Sequence, residues 1–166
     1  MEEIVYRPIG IIHTKFTEKG HTPIQSIFAQ DARGEIEVFP EYATGLKCID
    51  GFSHLILTYH FHLAEGYSLL EKPFLDGTEN RGIFSIRHFR RPNPIGLSIV
   101  RLDKIRGNIL QIGEVDIIDG TPLLDIKPFV NQFDNRANAK SGWVDNQHLE
   151  AIEDKSPRAL SDKELY

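Results

Sequence analysis

Three histidines, three aspartates and a basic turn are the side chains best suited to chemistry in this sequence. His54, His60 and His62 share parity along a segment that reads as a strand, so His60 and His62 point to one face and can converge on a metal ion. A histidine–metal centre of that kind would serve hydrolysis or hydration. His54 stands six residues from His60, a long reach along a strand for one shared ion. The alternative is a set of hydrogen-bonded histidines lining a core or pocket. His13, His21, His88 and His148 are scattered.

Asp116, Asp119 and Asp125 crowd the bend Val115 to Pro122. Two readings stand: the carboxylates hold ribose hydroxyls, an ammonium group or an arginine, or they are turn residues, with Asp119-Gly120 the turn itself. The third feature is Arg90-Arg91-Pro92-Asn93-Pro94-Ile95-Gly96-Leu97-Ser98. Each proline fixes its own φ and biases the residue before it to extended backbone, so Arg91 and Asn93 are held stiffly ahead of an apolar run. Such a turn either docks something anionic or is basic scaffolding. Tyr59, Phe61, Phe84, Phe89, Phe129, Phe133 and Trp143 lie near these segments in sequence and either stack on a base or fill a core. No G-x-S-x-G, P-loop or G-x-G-x-x-G occurs in the sequence, so a nucleotide cofactor would not be held by a Rossmann fingerprint.

These residues need elements to position them. The chain has 166 residues, 40% hydrophobic and 26% charged, enough for one domain with a core. No apolar run reaches the roughly 18 residues of a membrane span. Met1-Glu2-Glu3-Ile4 lacks the layout of a signal peptide, and a cytoplasmic protein is expected. Cys48 is the single cysteine, which excludes an intrachain disulfide and is read as a small buried side chain. The net charge of −5 argues against broad coating of nucleic acid, yet Arg81, Arg87, Arg90, Arg91, Arg101, Lys104 and Arg106 form a local basic stretch.

Strands are predicted at Ile4 to Ile12, Glu35 to Phe39, Ser53 to His62, Gly82 to Phe89, Leu97 to Leu102, Ile109 to Ile118 and Leu123 to Ile126. Leu63 to Leu70 suggests a helical turn or two, Asp145 caps a helix to about Asp154, and Ser161 with Glu164 has capping-box spacing. Thr17 to Ser26 reads as a long surface loop. The expected fold is mostly β: a single antiparallel β-barrel domain over 1–145 with a few short helices, then a helical tail over 146–166.

Phe52-Ser53-His54-Leu55, Phe61-His62, the stretch Arg87 to Ser98, and Asp119-Gly120-Thr121-Pro122 with Asp125-Ile126-Lys127-Pro128 together resemble the TrmO (YaeB-like) family, over about residues 6 to 145. The resemblance implies an S-adenosylmethionine-dependent tRNA methyltransferase on a β-barrel, acting on N6 of threonylcarbamoyladenosine at position 37. It implies a homodimer with the cofactor near the subunit interface, in a short form without the extra C-terminal domain.

The cofactor residues implied by the resemblance are Pro23, Ile24, Gln25, His62, Arg87, Leu97, Asp116, Ile117, Ile118 and Asp119. Arg90, Arg91, Asn93 and Lys127 suit tRNA, and His62 or Asp119 is the candidate base. This chain departs from the family pattern at Ile24, which replaces an arginine, at Leu63, and at Ile86, His88 and Phe89. A histidine–metal hydrolase on His54, His60 and His62, and a noncatalytic RNA-binding module, are the competing readings.

Overall fold

The structure, a computed structural model, describes residues 3–74 and 79–146. β1 (Gly10–Thr14), β2 (Arg33–Val38), β3 (His54–His60), β6 (Ile95–Arg106), β7 (Ile109–Gly113) and β8 (Thr121–Pro128) close into a barrel in the order β1-β2-β7-β6-β3-β8. Every pairing is antiparallel. β4 (Leu70–Glu71) and β5 (Arg81–Gly82) form a separate two-stranded ribbon in the long connection from β3 to β6.

Alternation builds the barrel. Along β3, Leu55, Leu57 and Tyr59 turn inward, and along β6 Gly96, Ser98 and Val100 do the same. Ile12, Ile36, Leu110, Ile112 and Leu123 complete the interior, each 0% exposed. Phe16, Ala29 and Ala32 from the β1–β2 loop belong to the same core. β6 runs past the predicted Leu102, because from Arg101 to Arg106 it pairs with β7, across a register shift between Leu102 and Lys104.

The structure corrects several expectations. The first strand starts at Gly10, and Ile4 and Val5 are exposed. A Cβ on Gly10 would meet the Glu37 carbonyl oxygen, which shows how closely β1 and β2 approach there. Gly82 to Phe89 is no strand: pairing ends at Gly82, and Ile83–Ser85 is a 3₁₀ turn. The strand from Ile109 stops at Gly113, because Glu114 takes φ 59° and turns the chain. Leu63 to Leu70 makes turns rather than a helix, and Asn131–Asp134 forms a one-turn helix, α1, without a sequence signal. Cys48 is exposed and left-handed at φ 66°, between two short 3₁₀ turns, so it is not a core residue. Gly142–Asn146 is a 3₁₀ turn, and the predicted tail helices lie outside the described residues. No helix among the described residues is long and apolar enough to cross a membrane.

Candidate active site

Gly96 and Ser98 explain each other through Tyr59. The Tyr59 ring lies over Gly96 so closely that a Cβ there would sit 2.2 Å from ring carbon Cε2. This contact lets the Tyr59 hydroxyl reach Ser98 Oγ at 2.9 Å. Ser98 then donates to Asp116 Oδ1 at 2.6 Å. Since Ser98 gives its proton to the carboxylate, the phenol donates to Ser98, and a one-way relay ends at Asp116. Burial pushes the Tyr59 phenol well above its ordinary range, so it stays a donor. Burial also raises Asp116 to about 6, against the lowering effect of Ser98, backbone donors and Arg87.

Beside this relay is a cleft of about 310 Å³, lined by Gln25, Ile27, Arg87, Leu97, Ile99 and Glu114, with Ser98 in its wall. Arg87 Nη1 donates to Gln25 Oε1 at 2.6 Å, joining two loops far apart in sequence. Leu97, Ile99 and Ile27 supply an apolar wall. A larger groove of about 510 Å³ lies on the β1–β2–β7 side, between His13, Arg33 and Asp103. Neither the relay nor any of the expected residues lines it, so the smaller cleft is the better site.

A second group forms around the turn after β7. Asp119 Oδ1 accepts the Thr14 backbone N–H at 3.0 Å, and Gly120 takes φ 74° in the turn. Thr121 Oγ1 donates to the Ile118 carbonyl at 2.6 Å, so His62 Nδ1, 3.3 Å away, is the donor to Thr121. Nε2 of His62 then carries the lone pair. Burial lowers the His62 pKa, helped by His60 and opposed by Asp119, so the ring is neutral near pH 7. Ile117 is buried, and its carbonyl accepts from Thr14 Oγ1 at 2.8 Å. Val115 to Gly120 thus links the relay to the His62 group.

The expected residues are only partly gathered. Gln25, Arg87 and Leu97 line the cleft, Asp116 stands behind it through its bond from Ser98, and His62, Asp119 and Ile118 belong to the second group. Pro23 is buried, and the Ile24 carbonyl accepts from Gln25 Nε2 at 2.7 Å. Asp125 pairs with Lys127 and does not join the other two aspartates. Arg90 pairs with Glu71 at 2.9 Å. Arg91 donates from Nη1 to the Ile83 and Ile86 carbonyls at 3.0 and 2.8 Å, a bracing role within its loop. Asn93 is exposed, and its carbonyl accepts the Ile95 N–H.

The metal reading is corrected. His62 lies beyond the end of β3, and His54 sits 3.9 Å from Glu114 and 2.9 Å from Ser53 Oγ. Among the described residues no three His, Cys, Asp or Glu side chains group to hold an ion. Glu114 carries no motif, and its position on the cleft follows from its positive φ and its 2.9 Å pair with Arg101.

A closed antiparallel barrel with a half-apolar cleft over a partly buried carboxylate defines a small-molecule-binding β-barrel domain. Residues 11–135 match the family described as the tRNA-methyltransferase O N-terminal domain. The chain belongs to the TrmO family. A crystal structure of TrmO from Pseudomonas aeruginosa is similar at TM-score 0.75 and 36% identity, over 89% of this chain and 65% of that one. A probable S-adenosyl-L-methionine-binding protein of Pyrococcus abyssi is 55% identical over 86% of this chain and 77% of its own length. The tRNA (adenine(37)-N6)-methyltransferase of Escherichia coli strain K12 is 31% identical, over 87% of this chain and 65% of the enzyme. This chain therefore spans just under two thirds of that enzyme.

Proposed function

We propose that the protein is an S-adenosyl-L-methionine-dependent tRNA (adenine-N6) methyltransferase, acting in the cytoplasm as a homodimer on threonylcarbamoyladenosine at position 37. The observation that carries the reading is the meeting of Gln25, Arg87 and Leu97 in one cleft whose wall residue Ser98 is bonded to Asp116. The cleft suits the donor: an apolar wall for its body, and Asp116, held just behind Ser98, for its ammonium or ribose. When bound, S-adenosylmethionine supplies a methyl group on a sulfonium, open to in-line displacement.

The chain's own work is positioning. Ser98 and Tyr59 orient Asp116, and Gln25 fixes the Arg87 guanidinium. Retention of the donor by Asp116 acts on binding rather than on the chemical step, since charge on the sulfonium is lost in the transition state. His62 is the better candidate base: its ring is neutral, its Nδ1–H is spent on Thr121, and Nε2 is left to take the N6 proton. Asp119 is committed to the Thr14 N–H and tunes His62. Arg90, Asn93 and Lys127 serve the tRNA backbone, with Arg91 holding their loop.

Mass spectrometry of position 37, after incubation of tRNA with the protein and isotopically labelled donor, tests the proposal. Label on N6 is the expected result. A protein that binds donor and tRNA but leaves the tRNA unlabelled is a binding module, and the enzymatic reading then fails.

A further inference from the structure

Aromatic rings in this protein meet in two ways. In the barrel, Tyr59–Phe61 and His54–Phe129 are edge to face, with interplanar angles of 84° and 67°. In the connection from β3 to β6 the rings lie flat. Phe74 and His88 stack at 4.9 Å and 12°, and His88 and Phe89 at 4.4 Å and 21°. Two of these three, His88 and Phe89, are positions where the sequence departs from the family pattern.

His88 is the shared member of the group, and Phe74 and Phe89 lie 6.2 Å apart with their rings 23° from parallel. His88 is 7% exposed, whereas Phe74 is 52% exposed. Lys19 Nζ lies 4.3 Å from the centroid of the Phe89 ring. His88 Nδ1 accepts the Arg90 backbone N–H at 3.2 Å, so its ring is the Nε2–H tautomer. Burial lowers its pKa and keeps it neutral. The charged groups facing it are Glu71, Arg90, Arg91 and Lys19; Arg90 is paired with Glu71 at 2.9 Å and Arg91 braces its loop, in a chain of net charge −5. Arg87 turns to Gln25 and the donor cleft, while His88, next in the chain, turns into the stack. The two surfaces adjoin without coinciding.

Flat π-faces ringed by cations are the chemistry that holds an unpaired nucleotide: the rings stack on the base and the cations meet the phosphates. We propose that the Phe74–His88–Phe89 stack is a platform for an unpaired base of the tRNA, with Lys19 and Arg90 toward the flanking phosphates. This rests on the reading that tRNA is the substrate, and it assigns that tRNA a contact separate from the donor cleft.

Phe74→Ala and Phe74→Trp in the full chain test it, against intact tRNA and an anticodon stem-loop oligonucleotide. Loss of one stacking contact is expected to raise the tRNA KM about 5- to 100-fold in Phe74→Ala, with donor Kd and thermal midpoint unchanged. Phe74→Trp retains the wild-type KM, and its emission is quenched by the stem-loop beyond any change in the wild type, whose sole indole is Trp143. An unchanged KM in Phe74→Ala overturns the platform. A weakened donor Kd overturns it too, and assigns the stack to the donor's adenine. A changed sedimentation mass with unchanged KM assigns it to a second copy of the chain. Wild-type protein that labels no tRNA sinks the proposed function on its own. The fluorescence arm still decides the stack: quenching of Phe74→Trp by the stem-loop supports it, and no quenching ends it.

Discussion

At the scale of single residues, Asp116 couples function to instability. Its folded-state pKa is raised to about 6 from 3.8, so the folded protein holds that proton more tightly than the unfolded chain. Stability therefore declines as pH rises from about 3.8 to about 6, and the cost is fully present above that window. Asp116→Asn is expected to raise the thermal midpoint at pH 7.5, by about 2–4 °C per kcal/mol recovered, and the gain vanishes near pH 4. The same variant is expected to bind S-adenosylmethionine at least about tenfold more weakly, the scale of one lost charge-assisted contact, as calorimetry would read. A lower midpoint at pH 7.5 would show that the carboxylate stabilises rather than strains the site. Gly96→Ala tests the Tyr59 contact. With a Cβ 2.2 Å from a buried ring, it is expected to cost about 1–3 kcal/mol in chemical denaturation. Stability equal to wild type would mean that the ring moves aside freely.

At the scale of elements, β6 sorts its residues by parity. Ser98 and Gly96 turn in to the relay, while Ile95, Leu97 and Ile99 turn out. A one-residue slip would exchange the two sets, and the stiff Pro92-Asn93-Pro94 entry sets the register. Arg91 belongs to this scale, because its two carbonyl contacts tie the start of β6 to the Ile83–Ser85 turn. Arg91→Ala is expected to raise the tRNA KM about tenfold, the scale of a lost charged hydrogen bond, and to change donor Kd much less. Faster amide exchange over 83–91 should accompany the change. Unaltered exchange with the same rise in KM would place Arg91 directly on the tRNA.

At the scale of the whole molecule, the face beside the cleft is unusually apolar. Ile27, Leu97, Ile95 and Ile99 are 68%, 52%, 40% and 36% exposed. A second copy seated there would cover this patch and close the cleft, which supports the homodimer. Sedimentation should give twice the 18.9 kDa chain mass. Ile99→Glu should give the monomer, with weaker donor binding. A monomeric wild type with full activity would remove the dimer from the proposal.

Local pattern determined much of this protein. Alternation in Ser53 to His62 and Leu97 to Leu102 reports which side chains enter the core, because the period of a strand is two. Hence the mostly β fold, the β3 and β6 strands, the Asp119-Gly120 turn and the family's motifs were readable in the chain. Long-range geometry was not. Glu114 reaches the cleft through a backbone reversal, Arg91 finds carbonyls within its own loop, and the ring of Phe74 meets that of His88 across a connection whose apolar pattern resembles a strand. Even the histidines sharing parity on one segment part company where β3 ends. Parity holds only while a strand continues, and barrel closure, which depends on pairings between residues far apart in sequence, decides where each strand stops and which side chains meet.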